Sequence, residues 1–222
     1  MTFRNRAQAG RLLAAELHRF EGRDPVVLAL PRGGVPVGLE VARALRAPLD
    51  LVLVRKIGAP HQPELAVAAV VDGEKMEVVL NDEAIAGLGL PAGYVEREAV
   101  RQVAEIERRR RLYLGGRERA AVEGKTALVV DDGIATGATM RAALRAVRRR
   151  RPGRLVLAVP VAPPDTVEAL RHEVDEVVCL SMPADFFAIG QFYADFDQVG
   201  DDEVRALLEQ AAAYAKPAAG AA

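Results

Sequence analysis

Residues 128–139 read Leu-Val-Val-Asp-Asp-Gly-Ile-Ala-Thr-Gly-Ala-Thr, an apolar run that ends at two acids and continues into a loop of small residues. The apolar run is typical of a strand buried on both faces. The small residues let backbone N–H groups approach an anion, and a helix starting at the end of the loop adds its partial positive charge. We therefore predict that Thr136, Gly137, Ala138 and Thr139 form a phosphate-binding loop.

Asp131 and Asp132 stand directly before this loop. Two carboxylates repel a polyphosphate, but they accept hydrogen bonds from sugar hydroxyls. One turn therefore offers both halves of a ribose 5-phosphate site, the alternative being that the acids only cap the turn. Two commoner phosphate motifs do not fit, because the P-loop needs a Lys after its last glycine and the dinucleotide fingerprint needs G-x-G-x-x-G after a strand.

Apolar runs alternate with helical patterns on both sides of this stretch. Strands are predicted at 26–30, 49–54, 126–130, 155–161 and 174–180, and helices at 4–20, 35–45, 93–114, 138–150, 165–172 and 201–214. The first helix is expected to bury a stripe of Leu12, Leu13, Leu17 and Phe20, and Asp165 is expected to cap the helix it begins. The segments 65–71 and 76–80 flank Asp72-Gly73, which predicts a hairpin.

This alternation predicts an α/β fold with a mostly parallel sheet flanked by helices. Ligands of such sheets bind beyond the carboxyl ends of the strands, so the turns there are the candidate sites. We expect one domain over 1–222, with an insertion at 57–123 that contains the hairpin and a basic helix. A C-terminal segment at 181–222 ends in an Ala/Gly/Pro tail that we expect to fray.

The composition excludes several classes of protein. Half of the 222 residues are hydrophobic, which excludes a wholly disordered chain, and a net charge of −1 gives no support for a nucleic-acid or anionic-membrane partner. The lone cysteine, Cys179, excludes a disulfide within the chain and is expected as a buried thiol on a strand. With no secretory signal and no run of about 18 apolar residues, we expect a cytoplasmic protein.

Two further groups of residues are candidates for binding an anion. Pro31-Arg32-Gly33-Gly34 follows the first predicted strand, where two glycines allow close backbone approach and Arg32 supplies charge. Arg55-Lys56 follows the second predicted strand. On its own, this basic pair fits a solvated surface as well as it fits a ligand contact.

The pattern Asp-Asp-x-x-x-Thr-Gly-x-Thr after an apolar strand resembles the phosphoribosyl pyrophosphate (PRPP) motif of type I phosphoribosyltransferases. The order of strands and helices supports this resemblance from about residue 10 to residue 180. The whole chain is similar, more loosely, to bacterial predicted phosphoribosyltransferases of unassigned acceptor.

The resemblance implies a type I phosphoribosyltransferase fold and a Mg²⁺-dependent transfer of 5-phosphoribosyl from PRPP to a nitrogen nucleophile, with release of pyrophosphate. It implies a pyrophosphate loop at 31–34 with a cis peptide between Pro31 and Arg32, and it implies that Arg55-Lys56, Lys56 in particular, reaches the pyrophosphate. Mg²⁺ would be carried by PRPP, with water-mediated contacts to Asp131 and Asp132 and no direct protein ligand. The implied catalytic residues are Asp131, Asp132 and Lys56, and the implied PRPP-binding residues are Arg32, Gly33, Gly34, Arg55, Asp131, Asp132, Gly133, Ala135, Thr136, Gly137, Ala138 and Thr139.

The resemblance also implies a mobile loop within 57–123, a hood built from both chain ends that binds the acceptor, and a homo-oligomer, expected to be a dimer. Five of the ten aromatic residues lie in this C-terminal segment, at Phe186, Phe187, Phe192, Tyr193 and Phe196. They could stack on a planar acceptor, with Phe186, Phe187 and Tyr193 as candidates, form the core of the hood, or make a dimer contact. The segment does not match a purine-reading hood, so the acceptor stays open.

Other features keep two interpretations. The run Arg108–Arg111 fits a solvated helix face paired with glutamates, or a contact to pyrophosphate or an acidic partner. His61 fits an exposed loop residue or a proton-transfer group. The alternative functions are a PRPP- or nucleotide-binding regulator of the same fold, and a phosphohydrolase or kinase acting on ribose phosphates. A DNA-binding module would favour the regulator, but no helix-turn-helix partner is evident for the first helix. No nucleic-acid or membrane partner is expected.

Overall fold

A five-stranded parallel sheet in the order β2-β1-β6-β7-β8 forms the centre of the protein. The computed structural model describes residues 1–72, 76–81 and 85–214. The strands of this sheet are β1 Pro25–Ala29, β2 Leu49–Leu51, β6 Thr126–Val130, β7 Arg154–Val161 and β8 Glu176–Ser181. The predicted mostly parallel α/β sheet is confirmed.

Helices cover both faces of this sheet. The helices of the described residues are α1 Arg6–Leu17, α2 Gly34–Leu45, α3 Tyr94–Leu114, α4 Ala138–Arg149, α5 Pro164–Arg171 and α6 Asp201–Tyr214, with 3-10 turns at His18–Phe20 and Ile189–Phe192. Helix α3 packs on the strands 54–59 and 62–71 and not on the central sheet. Val27 and Leu128 face α1 and α2, whereas Leu28 and Val129 face α4. Because successive strand residues are buried on opposite faces, the strands are apolar throughout instead of alternating.

A second, antiparallel sheet contains β3 Val54–Ala59, β4 Gln62–Val71 and β5 Glu77–Leu80. Strand β4 pairs with β5 from Ala68 opposite Leu80 to Val71 opposite Glu77. The predicted hairpin is therefore confirmed in its strands, whereas Gly73 of the predicted Asp72-Gly73 turn lies outside the described residues.

The predicted strand 49–54 is wrong as a single element, because the chain changes pairing partners within it. The Val52 N–H still donates to the Ala29 carbonyl of β1, at 3.0 Å, but the Leu53 carbonyl accepts from Asp72 N–H at 2.9 Å. The buried carboxylate of Asp50 supports this switch by accepting from Ala120 N–H at 2.8 Å. Strand β2 therefore ends at Leu51, and β3 begins a different sheet at Val54.

Two helix predictions need correction in detail. Asn5, whose side chain accepts from Gln8 N–H at 3.0 Å, starts the first helix, and Leu12 is exposed and does not belong to its buried stripe. Asp165 does not cap α5, because Pro164 occupies its first position and Pro163 stands at the cap. Cys179 lies in strand β8 as predicted but is half-buried instead of buried, and its partial burial raises the pKa of its thiol.

The N-terminal residues pair with the segment that follows β8. Phe3 N–H donates to the Phe192 carbonyl at 2.8 Å, and Ala194 N–H donates to the Phe3 carbonyl at 2.8 Å. Phe3, Phe192 and Tyr193 are buried together in a small cluster. We call residues 3–6 and 186–197 the hood. The tail predicted to fray, beyond Tyr214, lies outside the described residues. In the part of the chain that the structure describes, no helix has the length and apolar character needed to cross a bilayer.

Candidate functional site

The carboxyl ends of β1 and β6 bring the two predicted turns into contact. The strands pair in register up to Ala29 opposite Val130, and Leu30 N–H donates to the Val130 carbonyl at 2.9 Å. A Cβ on Gly33 would overlap the Asp132 carboxylate, lying 2.6 Å from its Cγ, and one on Gly34 would lie 2.8 Å from the Val130 carbonyl oxygen. The loop at 31–34 therefore needs glycine because it packs directly against the acids.

The loop at 31–34 has the cis peptide between Pro31 and Arg32 that the resemblance implies. The Arg32 side chain is one-third exposed, and its guanidinium lies 3.7 Å from Asp201 Oδ1 at the start of α6. Asp201 also accepts a hydrogen bond from the Tyr113 hydroxyl at 2.6 Å. Burial and this contact raise the pKa of Tyr113 to about 12, so the phenol stays a donor.

Asp131 and Asp132 occupy different environments. Oδ1 of Asp131 accepts from the Asp132 backbone N–H at 2.9 Å. Desolvation, and next the charge of Asp132, raise the pKa of Asp131 well above its usual value. The Asp132 side chain is only 10% exposed, and its Oδ2 accepts from Arg6 Nε at 2.7 Å. Asp132 thus does more than cap the turn, because its carboxylate forms an ion pair with Arg6.

Arg6 connects the hood to the acids. Its Nη1 donates to the Asp197 carbonyl at 2.7 Å, and its guanidinium lies 3.9 Å from the centre of the Phe196 ring. The Tyr193 hydroxyl donates to the Asp132 carbonyl at 2.5 Å, so the hood holds both the side chain and the main chain of that acid. Sequence reasoning missed Arg6, since it lies 126 residues from Asp132 and belongs to no motif.

The loop at 136–139, which the sequence predicts to bind phosphate, is preorganised. Gly137 adopts φ of +76° at the start of α4, a backbone conformation that favours glycine, and the Thr166 hydroxyl donates to the Ala135 carbonyl at 2.8 Å. Among the described residues, no backbone or side-chain acceptor is found for the N–H groups of Thr136, Gly137, Ala138 and Thr139. These N–H groups are therefore available to bind an anion.

Arg55 and Lys56 do not follow a core strand as predicted, because they lie within β3 of the antiparallel sheet. Their side chains diverge, as neighbours on a strand do. Arg55 Nε donates to Gln102 of α3 at 3.0 Å, whereas Lys56 is exposed and lines a pocket together with Thr136 and Ala138. The structure thus brings Lys56, but not Arg55, beside the phosphate-binding loop.

The aromatic residues of the C-terminal segment mostly contact one another. Tyr193 lies 5.4 Å from Phe3 and 5.0 Å from Phe196, and Phe186 lies 5.2 Å from Phe192, as ring-centre distances. These contacts favour a hood core for four of the five residues. Phe187 differs, because 90% of it is exposed.

The four-arginine run of α3 makes local ion pairs. Nε of Arg108 and Nε of Arg109 lie 2.8 and 2.7 Å from carboxylate oxygens of Glu105, and their hydrogen bonds lower the pKa of Glu105 to about 2. These contacts favour the interpretation as a solvated helix face. His61 is exposed in the turn between β3 and β4.

The described residues of this site do not supply enough ligands to hold a metal ion by themselves. Within 1–72, 76–81 and 85–214, no group of three or more His, Cys, Asp or Glu side chains is placed to hold a metal ion. Mg²⁺ binds through one or two carboxylates, water and substrate phosphates, and the acid pair fits that pattern. The residues present therefore suit a metal that arrives with a phosphorylated ligand.

Comparisons with known proteins agree with this geometry. The family described as "Phosphoribosyl transferase domain" matches residues 2–197. Two Mycobacterium tuberculosis proteins, from strains CDC 1551 and H37Rv, carry the name "Putative phosphoribosyl transferase" and are 48% identical over 209 residues, or 94% of this chain. That match covers 47% of each relative, so the chain spans about half their length. The crystal structure of the protein TT1426 from Thermus thermophilus is 48% identical, with a TM-score of 0.82, and the match covers 95% of this chain and 99% of that one.

Proposed function

Because this chain belongs to the phosphoribosyl transferase domain family, we propose that it transfers the 5-phosphoribosyl group of PRPP to a nitrogen nucleophile and releases pyrophosphate. The observation that carries this proposal is that one turn contains both four available N–H groups, at 136–139, and two carboxylates. A ribose 5-phosphate moiety needs both a phosphate-binding loop and acceptors for its hydroxyls.

Each part of the site has a role in this proposal. The phosphate-binding loop, with Gly133 and Ala135 shaping its start, holds the 5-phosphate. Asp131 and Asp132 accept hydrogen bonds from the ribose 2- and 3-hydroxyls. Arg32, Gly33 and Gly34 hold the departing pyrophosphate, and Lys56 adds positive charge on the side of Thr136.

In the reaction, a bond forms between the acceptor nitrogen and carbon 1 of the ribose while the bond from carbon 1 to the pyrophosphate oxygen breaks. The electron pair leaves with pyrophosphate, and the nitrogen loses a proton. Positive charge develops on the ribose ring, and the two carboxylates stabilise it. Catalysis therefore depends on positioning and electrostatics, with no covalent intermediate on the protein.

Mg²⁺ bound to PRPP would neutralise the pyrophosphate as it leaves. Asp131 and Asp132 are the residues that would hold its water ligands. A loop within 57–123 would close over the site and exclude water, which otherwise competes as the nucleophile. Arg55, turned toward Gln102, would need to rotate to reach the substrate.

The acceptor and assembly state belong to the same proposal. The hood lies beside Asp132, and Phe187 is the one exposed member of the aromatic group proposed for acceptor contact. Phe186 and Tyr193 support this surface from within the hood. We further propose a cytoplasmic homodimer, with no nucleic-acid or membrane partner.

Titration of the protein with PRPP and Mg²⁺ in a calorimeter tests the proposal. The wild type should bind, and Asp131→Asn/Asp132→Asn should lose at least tenfold in affinity, since both hydroxyl acceptors lose their charge. Asp202→Asn, at an acid that is 98% exposed, is the matched control. Equal binding by the double variant would show that the site is elsewhere.

A second assay separates an enzyme from a binding protein of the same fold. The protein is incubated with PRPP, Mg²⁺ and a panel of heterocyclic bases and amines, and pyrophosphate release is measured. Release with one acceptor supports the transferase. Tight PRPP binding without release on any acceptor contradicts it and favours a regulator.

A further inference from the structure

A pocket of about 370 Å³ lies between the antiparallel sheet and α4. Lys56 of β3 and Asn81, after β5, line one wall, and Arg141 and Arg145 line the other. Thr136 and Ala138 form the end next to the phosphate-binding loop. Three cations line this pocket, and no acid is among its lining residues within the described part of the chain.

The three cations differ in how their charges are balanced. Arg145 is held by Glu173, with Nη2 at 2.7 Å from Oε1. Lys56 and Arg141, by contrast, have no side-chain hydrogen bond or ion pair in the portion of the chain that the structure describes. Among the residues that the structure describes, two positive charges at this pocket thus have no counter-charge.

Arg141 also lies in an unfavourable position for folding. It follows the helix start at Ala138 by three residues, where the helix dipole is positive, and the first turn of α4 carries no acid. By comparison, α6 places Asp201, Asp202 and Glu203 in its first turn. An unpaired cation at the positive end of a helix does not stabilise the fold. Binding of an anion explains its presence better.

We propose that this pocket is a phosphate subsite in which Arg141 and Lys56 hold the 5-phosphate of the substrate. This inference rests on the proposed function and adds a residue to it. The N–H groups at 136–139 bind the phosphate along the loop, and the two side chains contact it from the flank of α4. Two positive charges match the two negative charges of a phosphate monoester.

The assignment also separates the two phosphate-binding parts of the substrate site. Arg32 belongs to the loop at 31–34 and faces Asp201, whereas Lys56 shares its pocket with Thr136. Lys56 is therefore assigned to the 5-phosphate, and the pyrophosphate is left to the loop at 31–34.

Calorimetric titration of Arg141→Gln tests the inference with three probes: ribose 5-phosphate, inorganic phosphate and pyrophosphate. Arg148→Gln is the matched control, because Arg148 lies on the same helix, pairs with Asp175 and does not line the pocket. We expect ribose 5-phosphate to bind at least tenfold more weakly to Arg141→Gln and within twofold of wild type to Arg148→Gln. Lys56→Met should show the same selective loss, and thermal melting confirms that each variant is folded.

The probes distinguish the sources of the phosphate. Loss of pyrophosphate or inorganic phosphate affinity with unchanged ribose 5-phosphate affinity would overturn the assignment to the 5-phosphate. Unchanged affinity for all three probes would overturn the pocket as a phosphate subsite. If Asp131→Asn/Asp132→Asn loses PRPP while Arg141→Gln keeps ribose 5-phosphate, only this inference fails. Failure of the wild type to bind PRPP and ribose 5-phosphate overturns both proposals.

Discussion

The two halves of the candidate site balance their charges in opposite ways. In the acid half, Asp132 is paired with Arg6 at 2.7 Å and Asp131 accepts a backbone N–H at 2.9 Å. In the cation half, Lys56 and Arg141 have no side-chain partner among the residues that the structure describes. The protein itself supplies partners to the acid half, whereas a bound phosphate would supply the counter-charge of the cation half in the function proposed above.

The chemistry of the proposed substrate accounts for this difference. Ribose hydroxyls are neutral, so they cannot balance a buried carboxylate, and a buried charge without a partner is costly. A phosphate brings its own negative charge, and cations at an open pocket stay hydrated until it binds. The stability of the free protein should therefore depend on the acid half, and its affinity for phosphate on the cation half.

Replacement of Arg6 should have the largest effect on stability. Arg6→Ala leaves the Asp132 carboxylate, 10% exposed, without its partner. Removing one member of a buried ion pair costs about 3–5 kcal/mol in the free energy of unfolding. Chemical denaturation followed by circular dichroism measures this loss.

A double variant tests whether the stability lost in Arg6→Ala comes from the unpaired charge of Asp132. Arg6→Ala/Asp132→Asn should recover part of the loss, because the remaining amide carries no charge. Arg11→Ala is the control, since Arg11 is 58% exposed and its partner Glu40 is 3.4 Å away, a pair expected to contribute about 0–1 kcal/mol. If Arg6→Ala and Arg11→Ala lost similar free energies of unfolding, Arg6 would not be an important counter-charge for Asp132.

Substitution of Gly33 tests how tightly the loop at 31–34 packs on the acid half. In Gly33→Ala, the new Cβ would lie 2.6 Å from Asp132 Cγ, so the carboxylate must move away from Arg6. We expect a loss of about 1–3 kcal/mol, as for overpacked sites, and at least tenfold weaker PRPP binding. Gly116→Ala is the control, because a Cβ there meets nothing within 4 Å. Wild-type stability and PRPP affinity in Gly33→Ala would contradict the close approach.

Asp131→Asn should stabilise the free protein at neutral pH. Because burial and Asp132 raise the folded-state pKa of Asp131, ionisation favours the unfolded chain. Stability is therefore lost as pH rises from the unfolded-state pKa of about 3.9 through the raised folded-state value. The amide keeps the acceptor for Asp132 N–H and removes this penalty. Melting curves should place the variant above wild type at pH 7, with a smaller difference near pH 3, and PRPP binding should weaken.

If the difference in melting temperature between Asp131→Asn and wild type did not change with pH, the raised pKa of Asp131 would be contradicted. For a protein of this size, about 1 kcal/mol corresponds to about 2–4 °C in melting temperature, which is readily measured.

Local patterns in the sequence were enough to predict the parallel sheet and the position of the loop that opens the helix after β6; phosphate binding by that loop stays a prediction. Apolar runs such as 126–130 lie in strands buried on both faces, and glycine at 137 adopts the positive φ that opens α4. The site residues that the sequence did not predict are those whose roles come from distant contacts. Arg6 contacts Asp132 only because the N-terminal residues pair with 192–195. Arg141 belongs to the proposed phosphate subsite only because the antiparallel sheet places Lys56 in the same pocket.

The error at Arg55-Lys56 has the same origin. The sequence shows an apolar run at 49–54 followed by a basic pair, which is typical of a core strand ending at a site. The switch of partners between Val52 and Leu53 depends on a hydrogen bond to the Ala29 carbonyl and on one from the Asp72 N–H, and neither residue lies in the same segment. Pairing between strands, and not propensity, decides where one sheet ends and the next begins.

Arg141→Gln gives the smallest expected change in stability and is the sharpest counterpart to Arg6→Ala. Both replace an arginine at the site, but Arg141 has no partner in the described residues and lies at the positive end of α4. Its removal should leave the free energy of unfolding unchanged or raise it by about 0.3–1 kcal/mol. Chemical denaturation at low ionic strength measures this shift, which salt should diminish. A loss of more than about 1 kcal/mol would mean that Arg141 has a structural partner, and the contrast between the two halves would no longer hold.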